Sequence, residues 1–243
     1  MKILLVNGNR TQAVTDSVLA EARLAASADT ALSAVTATFG ADIVFSHAEN
    51  AIATHAVLDS LARHHAGFDA AVLAISFDSG LAAARELLPI PVLGITESAL
   101  LTACTLGQQI GVISFGQVSN ALYAEVFARC GVGARIASRR TIDIASAGAY
   151  LAPAKLEARI AGEANELAAA GADAVVICGA ALAGIGRRLR DAVSVPLVDG
   201  VACAVRHAEA LVRAGYRRKI RQPGPVAVVD GVSADLAALF TQV

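Results

Sequence analysis

The stretch Gly67-Phe68-Asp69-Ala70-Ala71-Val72-Leu73 returns later in the chain as Gly171-Ala172-Asp173-Ala174-Val175-Val176-Ile177. A second pair follows in the same order, because Ile90-Pro91-Val92-Leu93-Gly94 returns as Val195-Pro196-Leu197-Val198-Asp199. Each copy reads as a buried strand, a polar turn, a helix, a strand led by proline, and another helix. We interpret this pattern as an internal duplication, which predicts two similar lobes.

Short runs rich in Val and Ile alternate with longer segments of helical period along the whole chain. The predicted strands are 3–6, 31–38, 70–75, 91–94, 110–115, 173–178 and 196–199, and the clearest helices are 12–25, 51–64, 117–128, 154–170 and 201–214. Apolar runs without alternation are typical of strands buried on both faces, so the sheets should be mostly parallel. The predicted fold class is α/β, with two similar lobes that each hold a parallel sheet flanked by helices. We expect lobe 1 at 1–96 plus 201–243, lobe 2 at 97–200, and a cleft between them.

Composition excludes several classes of protein. With 56% hydrophobic and 17% charged residues among 243, the chain has enough apolar material for a globular core. A net charge of −1 and one short basic cluster at 217–221 argue against a nucleic-acid partner. We find no signal-peptide pattern and no apolar run of about 18–20 residues, so we expect a cytoplasmic protein without a membrane partner. The four cysteines lack CxxC spacing, which favours free thiols.

Ligands of open parallel sheets bind where the strands end, so the residues that follow the strands are the candidates for a site in the cleft. The first group is Asn7, Asn9 and Thr11, which could hold an anion or could cap the next helix. The second group lies in one turn after a strand and comprises Ser76, Phe77, Asp78 and Ser79. Asp78 or Ser79 could instead serve as a helix cap.

The remaining candidates follow the strands of lobe 2. They are Ser114 and Phe115, then Cys178, Gly179 and Ala180, and finally Asp199 as a cap or a ligand contact. A lone cysteine at a strand end is also a common small core residue, so both readings of Cys178 stay open. Because the sequence has no GxGxxG fingerprint, no Walker loop and no metal-ligand spacing, it predicts no metal, nucleotide or pyridoxal cofactor.

Motifs spread over nearly the whole chain carry a family resemblance. They are Val6-Asn7-Gly8-Asn9-x-Thr11, Phe39-Gly40 followed by Ala51-Ile52-Ala53, Asp78-x-Gly80-Leu81, Pro91-Val92-x-Gly94-Ile95, and Val195-Pro196-Leu197-Val198-Asp199-Gly200-Val201 through Gly215-Tyr216. In order and spacing they resemble the hydantoin and allantoin racemase branch of the aspartate/glutamate racemase superfamily. The resemblance implies an isomerase that needs no cofactor and moves a proton at a carbon next to a carbonyl, with one cysteine from each lobe.

Both family cysteine positions are displaced in this sequence. An ungapped match to the family motif C-F-x-D-P-G-L places Ile75 at the first cysteine position, with Ser76 next to it. A match to the motif G-C-A-G places Gly179 at the second cysteine position, with Cys178 one residue early. Since neighbouring side chains on a strand point to opposite faces, a shift of one residue matters.

We therefore carry three hypotheses. The first is a racemase or epimerase of a small amino-acid derivative, either a hydantoin or an acidic amino acid, that uses Cys178 with Ser76 or Asp78. The second is a malonate-type decarboxylase that keeps a single cysteine, and the third is a homologue that only binds its ligand. In each case we expect a small-molecule carboxylate or hydantoin as the partner, and a homo-oligomer.

Overall fold

Two four-stranded parallel sheets with the same strand order form the centre of the protein. The structure, a computed structural model, describes residues 1–143, 156–217 and 229–241. The first sheet has the order β2-β1-β3-β4 and the second the order β6-β5-β7-β8. The strands are β1 (Lys2–Asn7), β2 (Ala31–Thr36), β3 (Ala70–Leu73), β4 (Val92–Gly94), β5 (Ile110–Phe115), β6 (Ile136–Ile142), β7 (Ala174–Ile177) and β8 (Leu197–Asp199). The predicted fold class is confirmed.

Helices cover both sheets. Their bounds are α1 (Gln12–Ala25), α2 (His47–His64), α3 (Leu81–Leu87), α4 (Ile95–Leu106), α5 (Asn120–Arg129), α6 (Glu157–Ala169), α7 (Ile185–Arg188), α8 (Gly200–Arg213) and α9 (Ala234–Leu239). Parts of three predictions lie outside the described residues. They are residues 154 and 155 of the predicted helix 154–170, residues 218–221 of the basic cluster, and the last two residues of lobe 1.

Local chemistry explains two departures from the predicted elements. Helix α2 begins at His47 rather than at residue 51, because Ser46 and Glu49 form a capping box ahead of it. Strand β6 was not predicted. It lies at the edge of its sheet and is only partly buried, so its sequence can hold four consecutive polar residues, 138–141, instead of forming an apolar run.

The internal duplication is visible in matching backbone details. Asp69 accepts a hydrogen bond from the Lys2 N–H at 2.8 Å, and Asp173 accepts one from the Gln109 N–H at 2.8 Å, so each anchors the first strand of its sheet. Gly80 and Gly184 both adopt a left-handed conformation, with φ of 78° and 81°, immediately before α3 and α7. The two similar lobes therefore share turns as well as strand order.

The helix that follows the last strand of each lobe crosses to the other sheet. Helix α4 packs against β7 and β8 of the second sheet, whereas α8 packs against β3 and β4 of the first sheet. The two helices also pack against each other. These contacts favour the predicted division at residues 96 and 200, and the boundaries themselves stay a proposal.

Two apolar clusters form the core, and both include strand residues of the two sheets. Strands β1, β3, β5 and β7 are buried along almost their whole length, as their continuous apolar sequences predict. No helix among the described residues is long and apolar enough to cross a membrane.

Candidate active site between the lobes

A pocket lies between the lobes at the carboxyl ends of the strands. It is narrow and open to solvent at its mouth. Uncharged side chains line it, and they are Asn9, Ile43, Val44, Phe45, Ile75, Ser76, Phe77, Phe115, Ser119, Tyr123, Ala180 and Ala181. Five of the residues predicted from the sequence are in this set, namely Asn9, Ser76, Phe77, Phe115 and Ala180.

The loop after β1 orients an amide into this pocket. The Asn9 side-chain oxygen accepts hydrogen bonds from the Asn7 amide at 3.0 Å and from the Thr11 N–H at 2.9 Å. Asn7 also donates to Thr15 Oγ1 at 3.0 Å. Because both donors hold the Asn9 oxygen in place, its Nδ2 group is left to donate to a bound ligand. Asn7 and Thr11 support Asn9 and do not line the pocket.

Ser76 and Ala180 meet across the cleft. They occupy equivalent positions of the two repeats, and the Ala180 N–H donates to Ser76 Oγ at 3.0 Å. The Ser76 carbonyl in turn accepts from Thr96 Oγ1 at 2.6 Å, which ties this turn to α4. The contact joins a hydroxyl of one lobe to a backbone donor of the other at one end of the pocket.

Asp78 points away from the pocket into the protein interior. It is 1% exposed, and its carboxylate accepts from the N–H groups of Thr96 at 3.1 Å and Glu97 at 2.8 Å. Asp78 therefore caps the N-terminus of α4, the helix that follows β4, and does not cap α3, the helix that follows its own turn. Burial raises the pKa of Asp78 to about 7, against the hydrogen bonds from Glu97 and Thr96, which lower it.

Cys178 lies in the second core cluster and is 1% exposed. Burial, and after it the nearby Asp78 charge, raise the pKa of its thiol well above the ordinary range. Cys178 does not line the pocket. Its position favours the core-packing reading of the sequence, and its catalytic role stays an untested prediction.

The other predicted residues surround the pocket without lining it. Ser79 donates to Asn50, and the Ser114 hydroxyl lies 3.2 Å from Thr141 Oγ1. Gly179 lines a second, smaller pocket together with Thr96 and Leu182. Asp199 lines that second pocket too, and it caps α8 by accepting from the Val201 N–H at 3.0 Å.

Sequence reasoning missed one wall of the pocket. Residues 43–45, in the loop between β2 and α2, reach the second lobe, where Ser119 Oγ donates to the Phe45 carbonyl at 3.1 Å. The next residue but one, His47, lies 2.8 Å from Glu125 of α5. The sequence does contain a signal for this contact, the three consecutive apolar residues Ile43-Val44-Phe45 in a loop. Exposure of such a run to water is unfavourable, so it indicates packing against another part of the protein.

The burial of Asp78 predicts a dependence of stability on pH. Its folded-state pKa lies above the ordinary value, so its stabilising contribution is complete below about pH 4 and is lost as the pH rises through 7. We expect urea denaturation to show a loss on the order of 2 kcal/mol from this group between pH 5 and pH 8. Asp78→Asn should flatten this slope, whereas Asp29→Asn at an exposed position should not. An unchanged slope in Asp78→Asn would contradict the assignment.

The burial of Cys178 predicts slow alkylation. In the folded protein, iodoacetamide should modify the partly exposed Cys104 well before Cys178, since the buried thiol is both inaccessible and protonated. Mass spectrometry of a labelling time course measures the two rates, and labelling in urea is the control that exposes Cys178. If native Cys178 is labelled quickly and a bound hydantoin slows this labelling, the thiol is part of the site.

Fold and pocket together define a class of protein, namely two-lobed α/β proteins of duplicated topology with a pocket between the lobes. Residues 3–208 match the family model of the Asp/Glu/Hydantoin racemases, and the chain belongs to this family. It is 33% identical over 219 residues to a hydantoin racemase from Rhizobium meliloti, with 89% of this chain and 90% of that protein covered.

Solved structures show the same relationship. The allantoin racemase of Pseudomonas fluorescens superposes with a TM-score of 0.87 at 33% identity, covering 94% of this chain and all of that one. An arylmalonate decarboxylase superposes with a TM-score of 0.56 at 16% identity, over 90% of this chain and 96% of that one. At that identity the likeness shows a shared fold and carries no argument for decarboxylation.

Proposed function

We propose that this protein is a cofactor-independent racemase or epimerase of a small hydantoin-type compound. The contact between Ser76 Oγ and the Ala180 N–H carries the proposal, because it joins equivalent ends of the two lobes inside the pocket. The hydantoin and allantoin racemases to which the chain is similar support it. The reaction is a proton transfer at the carbon next to a carbonyl.

The pocket favours a neutral ring over an acidic amino acid. None of its lining side chains carries a charge, so a free carboxylate would lose its hydration without meeting a cation there. The Asn9 amide and the Ser76 hydroxyl are neutral groups that suit ring carbonyls and N–H groups. Phe45, Phe77 and Tyr123 provide apolar surface for a substituent on the ring.

Neutral donors also suit the reaction. Removing the proton leaves negative charge on the carbonyl oxygen, which the Asn9 amide can stabilise by a hydrogen bond. Ser76 is our candidate acid/base: its alkoxide form, which the Ala180 N–H stabilises, would remove the proton from the ring carbon, and the hydroxyl so formed would return that proton to the carbon and restore the alkoxide. Cys178 and Asp78, also assigned from the sequence, have no surface on the pocket, and their direct participation rests on the motif resemblance.

The test is deuterium wash-in from D2O into enantiopure 5-benzylhydantoin, followed by NMR and chiral chromatography. We expect deuterium exchange at the ring carbon and racemisation of the hydantoin. Both should be at least about 100-fold faster with the protein than in buffer alone. Dialysis against EDTA should leave the rate unchanged. Aspartate and glutamate are the matched acidic substrates, and exchange of these but not of the hydantoin would overturn the proposal.

One observation favours a second candidate, a homologue that binds the ligand without turnover. The pocket contains no thiol or carboxylate among the described residues, and a neutral serine is a weak base. Under this reading 5-benzylhydantoin raises the melting temperature, but exchange stays at the rate of buffer. The same two measurements therefore separate the candidates.

We further infer a cytoplasmic homo-oligomer. Leu24 and Leu106 are 64% and 49% exposed, and both line a groove that also contains Arg187, Arg190 and Arg206. Exposed leucines in one groove are typical of surfaces that pair in an assembly. Light scattering after size exclusion should give a multiple of the 24.7 kDa chain mass.

A further inference from the structure

Two carboxylates, the buried Asp78 and the partly buried Asp199, occupy corresponding places in the two lobes. Each lies between the turn that follows the third strand of its sheet and the helix that follows the fourth strand. Asp78 is on the turn in lobe 1, and Asp199 is at the end of the fourth strand in lobe 2. In both lobes a carboxylate therefore joins the turn to the helix. The carboxylate belongs to the turn in lobe 1 and to the fourth strand in lobe 2.

In lobe 1 the connection joins the turn of Ser76 to α4. The Asp78 carboxylate accepts from the Thr96 and Glu97 N–H groups, and Thr96 Oγ1 donates to the Ser76 carbonyl. Gly94 makes room for it, since a Cβ there would lie 2.6 Å from Asp78 Oδ2. Asp78 has a left-handed backbone, with φ of 49°, so the turn is held in a conformation that few side chains favour.

In lobe 2 the connection joins the turn of Ala180 to α8. One oxygen of Asp199 accepts from the Gly184 N–H at the end of this turn, and the other accepts from the Val201 N–H at 3.0 Å. Gly184 corresponds to Gly80 of lobe 1, and both precede a short helix. The carboxylate therefore holds the turn and the start of α8 together.

Each of these helices packs against the sheet of the lobe that does not contain the turn it is bonded to. Helix α4 packs on β7 and β8, and α8 packs on β3 and β4. A carboxylate that binds a pocket turn to one of these helices therefore fixes that turn relative to the other lobe. We propose that Asp78 and Asp199 are paired positioning residues, which hold the Ser76 and Ala180 turns in register across the cleft.

The test is hydrogen–deuterium exchange measured by mass spectrometry on the full chain, with peptides that cover 74–81 and 178–186. Asp78→Asn should raise exchange in 74–81 at least about tenfold, and Asp199→Asn should do so in 178–186. Either change should also raise exchange of the Ala180 amide, because its acceptor is on the other turn. Peptides from β1 and β5 should stay unchanged, which separates a positioning role from a loss of global stability.

Two further variants keep the test sharp if an Asp variant does not fold. Thr96→Val removes the hydroxyl that bonds the Ser76 carbonyl and should loosen 74–81, and Thr96→Ser should restore protection. Ser98→Ala in the same helix is the matched control, because its buried hydroxyl has no partner among the described residues. Unchanged exchange at both turns, or an equal rise in every peptide, would overturn the proposal.

This inference takes the pocket to be the site proposed above, but the exchange measurement does not need turnover. A chain that shows the expected local exchange and no reaction with 5-benzylhydantoin would refute the proposed function alone. A chain that racemises the hydantoin while both turns keep their protection in the variants would refute the positioning role alone.

Discussion

Gly200→Ala is expected to destabilise the fold strongly. Gly200 begins α8 and touches Ile95, the first residue of α4, at the equivalent position of the other repeat. An added Cβ would lie 2.9 Å from the Ile95 carbonyl carbon and closer still to its oxygen. Because both partners are backbone atoms at the start of packed helices, neither can move by a change of side-chain rotamer. We expect a loss of about 3–5 kcal/mol in urea denaturation.

Gly162→Ala is the matched control for this change. Gly162 lies inside α6, is exposed, and a Cβ there meets nothing within 4 Å. The substitution should therefore stabilise the protein by roughly 0.5–1 kcal/mol through helix propensity. Equal stability of the Gly200→Ala variant and the parent would mean that α4 and α8 do not approach each other as closely as described.

Ser76→Ala should reduce proton exchange into 5-benzylhydantoin by at least about 100-fold, the range typical of losing an acid/base group. The substitution removes the one hydroxyl that is bonded to the Ala180 N–H of the other lobe. It also leaves that N–H without its acceptor, so we expect a loss of about 1–3 kcal/mol of stability. Initial rates of deuterium incorporation measure the first effect and urea denaturation the second.

Ser60→Ala controls for the loss of a buried hydroxyl away from the pocket. Ser60 lies in α2 and donates to the Ala56 carbonyl of the same helix at 2.8 Å. Its removal should change exchange by less than twofold. If Ser76→Ala exchanges deuterium as fast as this control, Ser76 does not carry the proton.

Much of the fold could be predicted because its strands are buried on both faces. Strands β1, β3, β5 and β7 are unbroken apolar runs, and the repeat at 67–73 and 171–177 showed that the lobes are alike. Strand β6 escaped prediction, since an edge strand is half solvated and its sequence loses the apolar run. Helix α4 was predicted as the helix that follows the proline-led strand of the first repeat, but without bounds, because an apolar segment of helix resembles a buried strand when periodicity is the only guide.

The candidate site was harder to predict than the fold. The strand-end rule selected Asn9, Ser76, Phe77, Phe115 and Ala180, which the structure brings together in one pocket. It also selected Asp78, which turns inward to α4, and Cys178, which packs in the core. Phe45 was not selected, because it lies in a loop away from the strand ends and its place at the pocket depends on contacts with the second lobe, such as the hydrogen bond from Ser119.

The sequence by itself determined the strand composition, the duplication and the positions of the pocket turns, because these depend on apolar pattern and on residues close together in the chain. Only the tertiary structure decided which side chain of each turn faces the pocket. The alternation of the strand ends at Gly179, which has φ of 129°, and the turn that begins at Ala180 brings the Ala180 N–H to Ser76 while Cys178 stays buried. The tertiary structure also decided that α4 packs on the second sheet and α8 on the first, because this depends on how two distant halves of the chain pack.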